Sequence, residues 1–309
     1  MNDKITIITL MYNSMDVIIE TINSIIVQDY TGKIEVIISD DGSTDFNKEK
    51  IERYIQKAKK NQNFIIIHSS ENKGTVKNLN NAIKISSGEI IIHLSAGDLF
   101  ISSTILSRIV DEFTYNNCDM ICSLRIPFLQ STDKIMESIP SKFEVHKLKK
   151  IDTPLKQYHC LLEGVINIAS GSAFAYTRDF IFKQGMFDET YRLWEDGPFF
   201  SKITKNGVKL NIVEYPTIYY RLGGISTSKI SEVLIKDSIR FLSQNISDTK
   251  EIPLRVKRIV TYRMNWLKNM RNESQMNWLL LYLKYLDVVL LKILFRVEKR
   301  IYYFFQRYK

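Results

Sequence analysis

Four short apolar runs set the frame of this chain: Ile5–Thr9, Ile34–Ser39, Asn63–His68 and Glu89–Leu94. Each is a handful of residues rich in isoleucine and valine, the mark of a strand buried on both faces. Between them apolar positions recur at helical spacing: Val17, Ile18, Thr21, Ile22 and Ile25, then Ile51–Lys60, then Val76–Ile85. Asn13 or Ser14 is the expected N-cap of the first helix. Strands alternating with helices at this rhythm predict an α/β fold with a mostly parallel sheet covered on both faces. In such sheets a ligand lies in the crevice beyond the carboxyl ends of the strands. Three polar clusters fall just there: Tyr12-Asn13-Ser14, Asp40-Asp41-Gly42-Ser43 and Ser95-Ala96-Gly97-Asp98.

The pattern weakens over 125–165, where charge is mixed and no period holds, and the expectation is a loop-rich stretch. Order returns with a strand region at Gly164–Tyr176 and a short helix at Phe180–Met186. A helix then runs from about Pro198 to Lys205, preceded by Glu195-Asp196. Val208–Val213 and Thr217–Arg221 read as two further strands. Beyond them the chain reads as helical, over about 229–245, 252–272 and 276–308. The expected division is a domain over 1–228, split into halves over 1–100 and 101–228, followed by a helical region over 229–309.

Composition narrows the function. A chain of 309 residues with 45% hydrophobic and 25% charged residues is globular, which excludes wholesale disorder. Three unevenly spaced cysteines, Cys118, Cys122 and Cys160, and four scattered histidines argue against a disulfide framework or a structural zinc site. A reducing compartment fits them better. The first apolar run is too brief for the core of a signal peptide. The net charge of +9 suggests nucleic acid until its distribution is read. Residues 1–249 carry 29 Lys/Arg against 30 Asp/Glu, whereas residues 250–309 carry 14 against 4. A neutral body with a basic, apolar tail points to a membrane surface and not to a nucleic-acid groove.

The candidate chemistry lies at the strand ends. Asp-Asp-Gly-Ser after an apolar strand suits the hydrogen-bond donors of a base or ribose, and equally an ordinary turn. Asp98 suits a divalent cation that neutralises a diphosphate, and equally a helix N-cap. Glu195-Asp196 suits a general base, and equally a cap complementing a helix dipole. Arg221, closing a strand, suits bidentate contact with phosphate, and equally a surface salt bridge.

In order and spacing these pieces resemble family 2 glycosyltransferases of the GT-A fold, over about residues 4–228. The resemblance rests on Ile5–Thr9 with Tyr12-Asn13, Ser24–Gln28, Val36–Asp45, Asn72, Gly74, Asn80, Ala82 and Gly88–Ile91. It continues through Gly185, Phe187-Asp188-Glu189, Glu195-Asp196 and Tyr220-Arg221. It implies that Thr9, Tyr12, Asp41, Asn80 and Arg221 bind the nucleotide and that Asp98 binds Mn²⁺ or Mg²⁺. Asp196 is then the catalytic base with Glu195 secondary. It further implies an inverting transfer from a nucleotide sugar, commonly UDP-linked, to a glycan. The departure is Ser95-Ala96-Gly97-Asp98, where the family carries an Asp-x-Asp-Asp type cluster; two acids are missing, and weaker metal binding follows. The rival expectation is a non-catalytic sugar-nucleotide-binding scaffold subunit.

In the tail, Leu279, Leu283, Leu286, Leu290, Ile293, Val297, Ile301, Phe304 and Tyr308 recur at steps of three and four. Lys284, Lys292, Arg296, Lys299, Arg300 and Arg307 are expected on the opposite side. No uncharged run reaches the roughly 18 residues of a spanning helix. The alternatives are an interfacial helix on the inner face of the cell membrane and a helix packed on this chain or on a second subunit. The first suits a cytoplasmic, peripheral protein acting on a polyprenyl-diphosphate-linked acceptor.

Overall fold

A computed structural model describes residues 4–58, 62–129, 134–168, 171–223, 230–247, 252–270 and 275–306. Arg307 and Tyr308 of the expected tail stripe lie outside the described residues.

The four apolar runs are strands β1 (Lys4–Met11), β2 (Lys33–Asp40), β3 (Asn63–His68) and β4 (Ile90–His93). They pair in parallel in the order β3-β2-β1-β4. Helices α1 (Ile18–Ile26), α2 (Lys48–Ala58) and α3 (Thr75–Ile85) are the connections. The chain winds outward from β1 to β3 and then returns to β4 on the other side of β1. The carboxyl ends of β1 and β4 therefore flank a topological switch point, where such sheets open a crevice. Ile5, Ile7, Val36, Ile38, Ile90 and Ile92 pack with Ile18, Ile22 and Ile25 of α1 in one apolar core.

Beyond β4 come β5 (Leu99–Phe100), α4 (Ile105–Asn116), β6 (Met120–Leu129) and β7 (Lys134–Ile135). After α5 (Lys142–Leu148) and α6 (Pro154–Glu163), the sheet resumes with β8 (Phe174–Thr177). It ends with α7 (Arg178–Lys183), α8 (Asp196–Lys205) and β9 (Asn211–Arg221). The sheet continues from β4 through β8, β6 and β9 to β5, with β7 on β6. β8 is antiparallel to both its neighbours, and β5 is antiparallel to β9. The remaining helices are α9 (Glu232–Ser247), α10 (Leu254–Asn269), α11 (Gln275–Lys284) and α12 (Leu286–Gln306).

The chain forms two compact units. One comprises 1–139, 169–199 and 210–229, and holds the sheet. The other comprises 140–168, 200–209 and 230–309, and is helical. Within it, Ile259 and Tyr262 of α10 pack against Leu281, Tyr285 and Val288.

Several expectations are corrected. The stretch 125–165 is not loop-rich: it carries the end of β6, two helices and β7. The helices are short but strongly started. Ser141 and Glu144 make a reciprocal capping box, and Thr153 caps α6 with Pro154 in its first turn. Nor are there two strands at 208–221. A single β9 runs through Pro216, which lacks an N–H and sits where the β6–β9 register shifts. The expected strand at 164–176 is confined to Phe174–Thr177. Neither Asn13 nor Ser14 caps α1; the Ser14 carbonyl accepts the Val17 and Ile18 N–H groups instead.

Candidate active site

The ends of β1 and β2 are tied together. The Asn13 N–H donates to Ser43 Oγ at 2.7 Å, the Thr44 N–H donates to Asn13 Oδ1 at 3.1 Å, and the Met15 N–H reaches Asp45 at 3.2 Å. Asn13 adopts φ 48° to make this turn, a conformation asparagine tolerates. Tyr12 is left exposed beside it. Thr9 is buried, and its Oγ1 has no hydrogen-bond partner among the described residues.

The two aspartates after β2 differ. Asp40 Oδ2 accepts from the Gly42 N–H at 3.1 Å and the Ser43 N–H at 3.0 Å, and His68 Nδ1 lies 2.8 Å away. Asp40 thus shapes the turn. Asp41, also buried, accepts the Lys73 N–H at 2.8 Å and the Gly74 N–H at 2.9 Å. Its carboxylate holds the loop that starts α3. Asn80, on α3, is committed further along: its amide donates to the Phe187 carbonyl at 2.8 Å and to Glu189 at 3.0 Å, and accepts the Phe187 N–H at 3.2 Å. That tie, and no open face, is where the structure places Asn80.

Asp98 and Arg221 are brought together. Ser95-Ala96-Gly97-Asp98 forms a turn closed by the Asp98 N–H to the Ser95 carbonyl at 3.0 Å. Gly97 takes φ 97°, which a side chain would strain. Asp98 Oδ1 accepts the Arg221 backbone N–H at 3.0 Å, and Arg221 Nε donates to the Gly97 carbonyl at 2.8 Å. The Arg221 guanidinium also pairs with Glu20 of α1 and lies over the Phe128 ring. Asp98 Oδ2 is buried and has no hydrogen-bond partner among the described residues. Burial pushes the Asp98 carboxyl up to about 7, against the lesser pull of the Arg221 N–H and of the Arg125 and Arg221 charges. Among the described residues no group of three or more His, Cys, Asp or Glu gathers around a common point.

Glu195 and Asp196 open α8 and are unlike each other. Asp196 Oδ2 accepts the Gly171 N–H at 2.7 Å, and its Oδ1 accepts the Gly197 N–H at 2.6 Å. Two backbone donors fix its orientation while each oxygen keeps a lone pair. Burial, and then the Asp196 charge, push the Glu195 carboxyl up to about 8, so it holds its proton at neutral pH. Gly171 links this pair to the end of β4. The His93 ring hydrogen-bonds to the Gly171 backbone, and its Nε2 lies 2.5 Å from the Tyr176 hydroxyl. Burial drives His93 down to about 3, so the ring is neutral. A neutral ring donating to the Gly171 carbonyl accepts from the tyrosine hydroxyl at Nε2.

Sequence reasoning overlooked Gly171, His93, Tyr176 and Glu20. None carries a local signal: a histidine and a tyrosine in apolar strands read as core, and Glu20 reads as the solvent face of α1.

The chain belongs to glycosyl transferase family 2, whose sequence profile matches residues 6–182. It is 30% identical over 120 residues to a cholesterol galactosyltransferase of Borreliella burgdorferi, a match covering 39% of this chain and 32% of that protein. It is 35% identical over 94 residues to a poly-beta-1,6-N-acetyl-D-glucosamine synthase of Staphylococcus aureus, covering 30% of this chain and 22% of that one. These matches thus span a third or less of those relatives. The fold resembles S. aureus TarS 1-349 in complex with UDP-GlcNAc, with a TM-score of 0.60 and 18% identity over 93% of this chain and 81% of that one. It also resembles the mannosyltransferase PcManGT of Pyrobaculum calidifontis in complex with GDP-Man and Mn²⁺, with a TM-score of 0.59 and 17% identity over 92% and 80%. The fold is therefore GT-A, with helices added at the C-terminal end.

Proposed function

We propose that this chain is an inverting glycosyltransferase that moves a sugar from a nucleotide donor, UDP-linked, to a hydroxyl of a glycan acceptor. The carrying observation is the buried Oδ2 of Asp98, without a hydrogen-bond partner among the described residues and fixed beside Arg221 at the switch point of the sheet. An orphaned carboxylate oxygen is costly unless something arrives to meet it. A divalent cation fits: magnesium and its like are bound through one or two carboxylates, with substrate phosphates and water completing the shell. Asp98 would hold Mn²⁺ or Mg²⁺, whose charge would offset that gathering on a leaving diphosphate. The Mn²⁺ complex of the similar mannosyltransferase supports this.

The remaining roles follow from position. Thr9 and Tyr12 border the nucleotide, Asp41 meets its base, and Arg221 faces the diphosphate. Asn80 supports the site through its tie to Phe187 and Glu189. Residues 1–100, joined by Arg221, serve the donor, and the rest of 101–228 the acceptor. Asp196 takes the proton of the acceptor hydroxyl as that oxygen bonds to the anomeric carbon. The bond from that carbon to the diphosphate oxygen breaks, and its electron pair leaves with the nucleoside diphosphate. Glu195, protonated at neutral pH, is no base. An acceptor carried on a polyprenyl diphosphate at the cytoplasmic face of the membrane fits the basic, apolar tail, and glycan synthesis fits the relatives.

One observation favours a non-catalytic sugar-nucleotide-binding subunit: Ser95 and Gly97 stand where the family's other acids would be. A panel of UDP- and GDP-sugars, scored for released nucleoside diphosphate with and without Mn²⁺, separates the two. Release by the unaltered protein that disappears in Asp196→Asn supports transfer. UDP binding with no release from any donor, tested with a mixture of glycan acceptors, favours the binding subunit.

A further inference from the structure

The outward side of the last two helices is an exposed apolar face. Leu279 and Leu283 of α11 and Leu286, Leu290, Ile293, Val297, Ile301 and Phe304 of α12 are each between 44% and 61% exposed. Backbone hydrogen bonds from Tyr285 to Leu281 and from Val289 to Tyr285 carry the helical ladder across the junction, so the stripe is continuous. The opposite side is the packed one. Tyr285 and Val288 meet α10, Phe295 and Tyr302 meet Phe143 of α5, and Lys292 lies over the Tyr262 ring. Lys292 is thus on the inward face, opposite the apolar stripe, as its spacing in the sequence implies.

Three properties select the occupant. At about 100° per residue, the exposed apolar positions of α12, with Leu294 and Phe305 counted beside those above, cover an arc of about 120°, broader than a two-residue-per-heptad coiled-coil seam. The exposed Arg296 and Arg300 border that arc, and residues 250–309 carry 14 basic against 4 acidic side chains. A second copy would bring the same excess of charge against itself. No described helix is long and apolar enough to cross a membrane, which leaves the plane of the surface. From these we infer that the face formed by Leu283, Leu290, Ile293, Val297, Ile301 and Phe304 lies in the headgroup region of an anionic lipid leaflet, with Arg296 and Arg300 on its phosphates. The inference goes beyond the transfer reaction and does not depend on it.

Flotation of the full-length protein with phosphatidylcholine vesicles, pure or containing phosphatidylglycerol, tests this. The protein should float with the anionic vesicles and be released by salt. The triple change Ile293→Glu, Val297→Glu, Ile301→Glu should abolish flotation, and Arg296→Glu with Arg300→Glu should reduce partitioning at least about tenfold. Both variants should keep the far-ultraviolet spectrum and sedimentation coefficient of the parent, since the altered side chains face outward. Flotation of the triple variant equal to the parent's overturns the inference. So does a parental dimer that the triple change splits and that ignores vesicles.

Discussion

Arg221 donates its backbone N–H to Oδ1 of Asp98 at 3.0 Å, and the pairing of β5 with β9, carried one step further, sets Asp98 against Tyr220 and so beside Arg221. Leu99 faces Tyr219 and Phe100 faces Ile218, so the antiparallel ladder, extended, leads from each strand end to the other. One oxygen of the carboxylate is thereby fixed by main chain, and the other is left buried and open.

This arrangement sets a pH dependence. With its carboxyl raised to about 7, Asp98 holds a proton through mildly acidic conditions, and a cation must displace that proton to bind. Apparent Mn²⁺ affinity, measured by titration, should therefore strengthen about tenfold between pH 6 and pH 8 and flatten above. Asp98→Asn should remove both the affinity and the slope. Equal Mn²⁺ affinity at pH 6 and 8 would detach the metal from Asp98.

Asp41 serves the fold as well as any ligand. Its carboxylate accepts the N–H groups of Lys73 and Gly74, so Asp41→Ala strands two buried donors. The variant should lose stability by about 2–4 kcal/mol, at about 1–2 for each stranded donor. Asp41→Asn should lose less. UDP affinity, measured well below the melting temperature of each variant, tests the base contact separately. An Asp41→Ala protein as stable as the parent would contradict the tie.

The sheet was legible because each strand from β1 to β4 is a short isoleucine-rich run closed by polar residues. Such a run buries both faces in β1, β2 and β4, while β3, at the sheet edge, is only half-buried. The site was half legible: Asp98, Asp196 and Arg221 announce themselves by falling at element ends. Which groups meet them was not. The partner of Asp98 sits 123 residues away, and the Asp196 anchor is a glycine in a segment whose strand boundaries the sequence misplaced. The helices of 140–163 were missed because each is ten residues or fewer and is marked chiefly by its caps, Ser141 and Thr153. The tail stripe was read from spacing, but its exposure was not readable, since the same spacing serves packing.

Buried Asp98 and His93 and half-buried Glu195 give stability opposing pH slopes. Asp98 and Glu195 have carboxyls raised to about 7 and about 8, so their contribution is complete below pH 4 and is lost as pH rises through those values. His93 is lowered to about 3, so its contribution is present above pH 6.5 and is lost as pH falls towards 3. Between pH 6.5 and 8.5 only the carboxyls act, and the melting temperature should fall across that window. Combining Asp98→Asn with Glu195→Gln should flatten the limb. An unchanged slope in the double variant would place the titrating groups elsewhere.

The assignment of Asp196 as base meets its sharpest test in its two backbone hydrogen bonds. An asparagine there must turn its NH₂ group towards either the Gly171 or the Gly197 N–H, so Asp196→Asn loses one bond as well as the basicity. Turnover should fall at least about a hundredfold, with a stability loss of about 1–3 kcal/mol. Gly171→Ala separates the two effects. A Cβ on Gly171 would overlap Glu195 Oε1, displacing the N–H that orients Asp196 while leaving its carboxylate chemistry intact. The alanine variant should keep the parental KM for the nucleotide sugar and lose kcat. Glu195→Gln should remain active, because the glutamate already carries its proton at neutral pH. If Glu195→Gln is the more damaging of the pair and Asp196→Asn retains full transfer, the proton acceptor has been placed on the wrong residue.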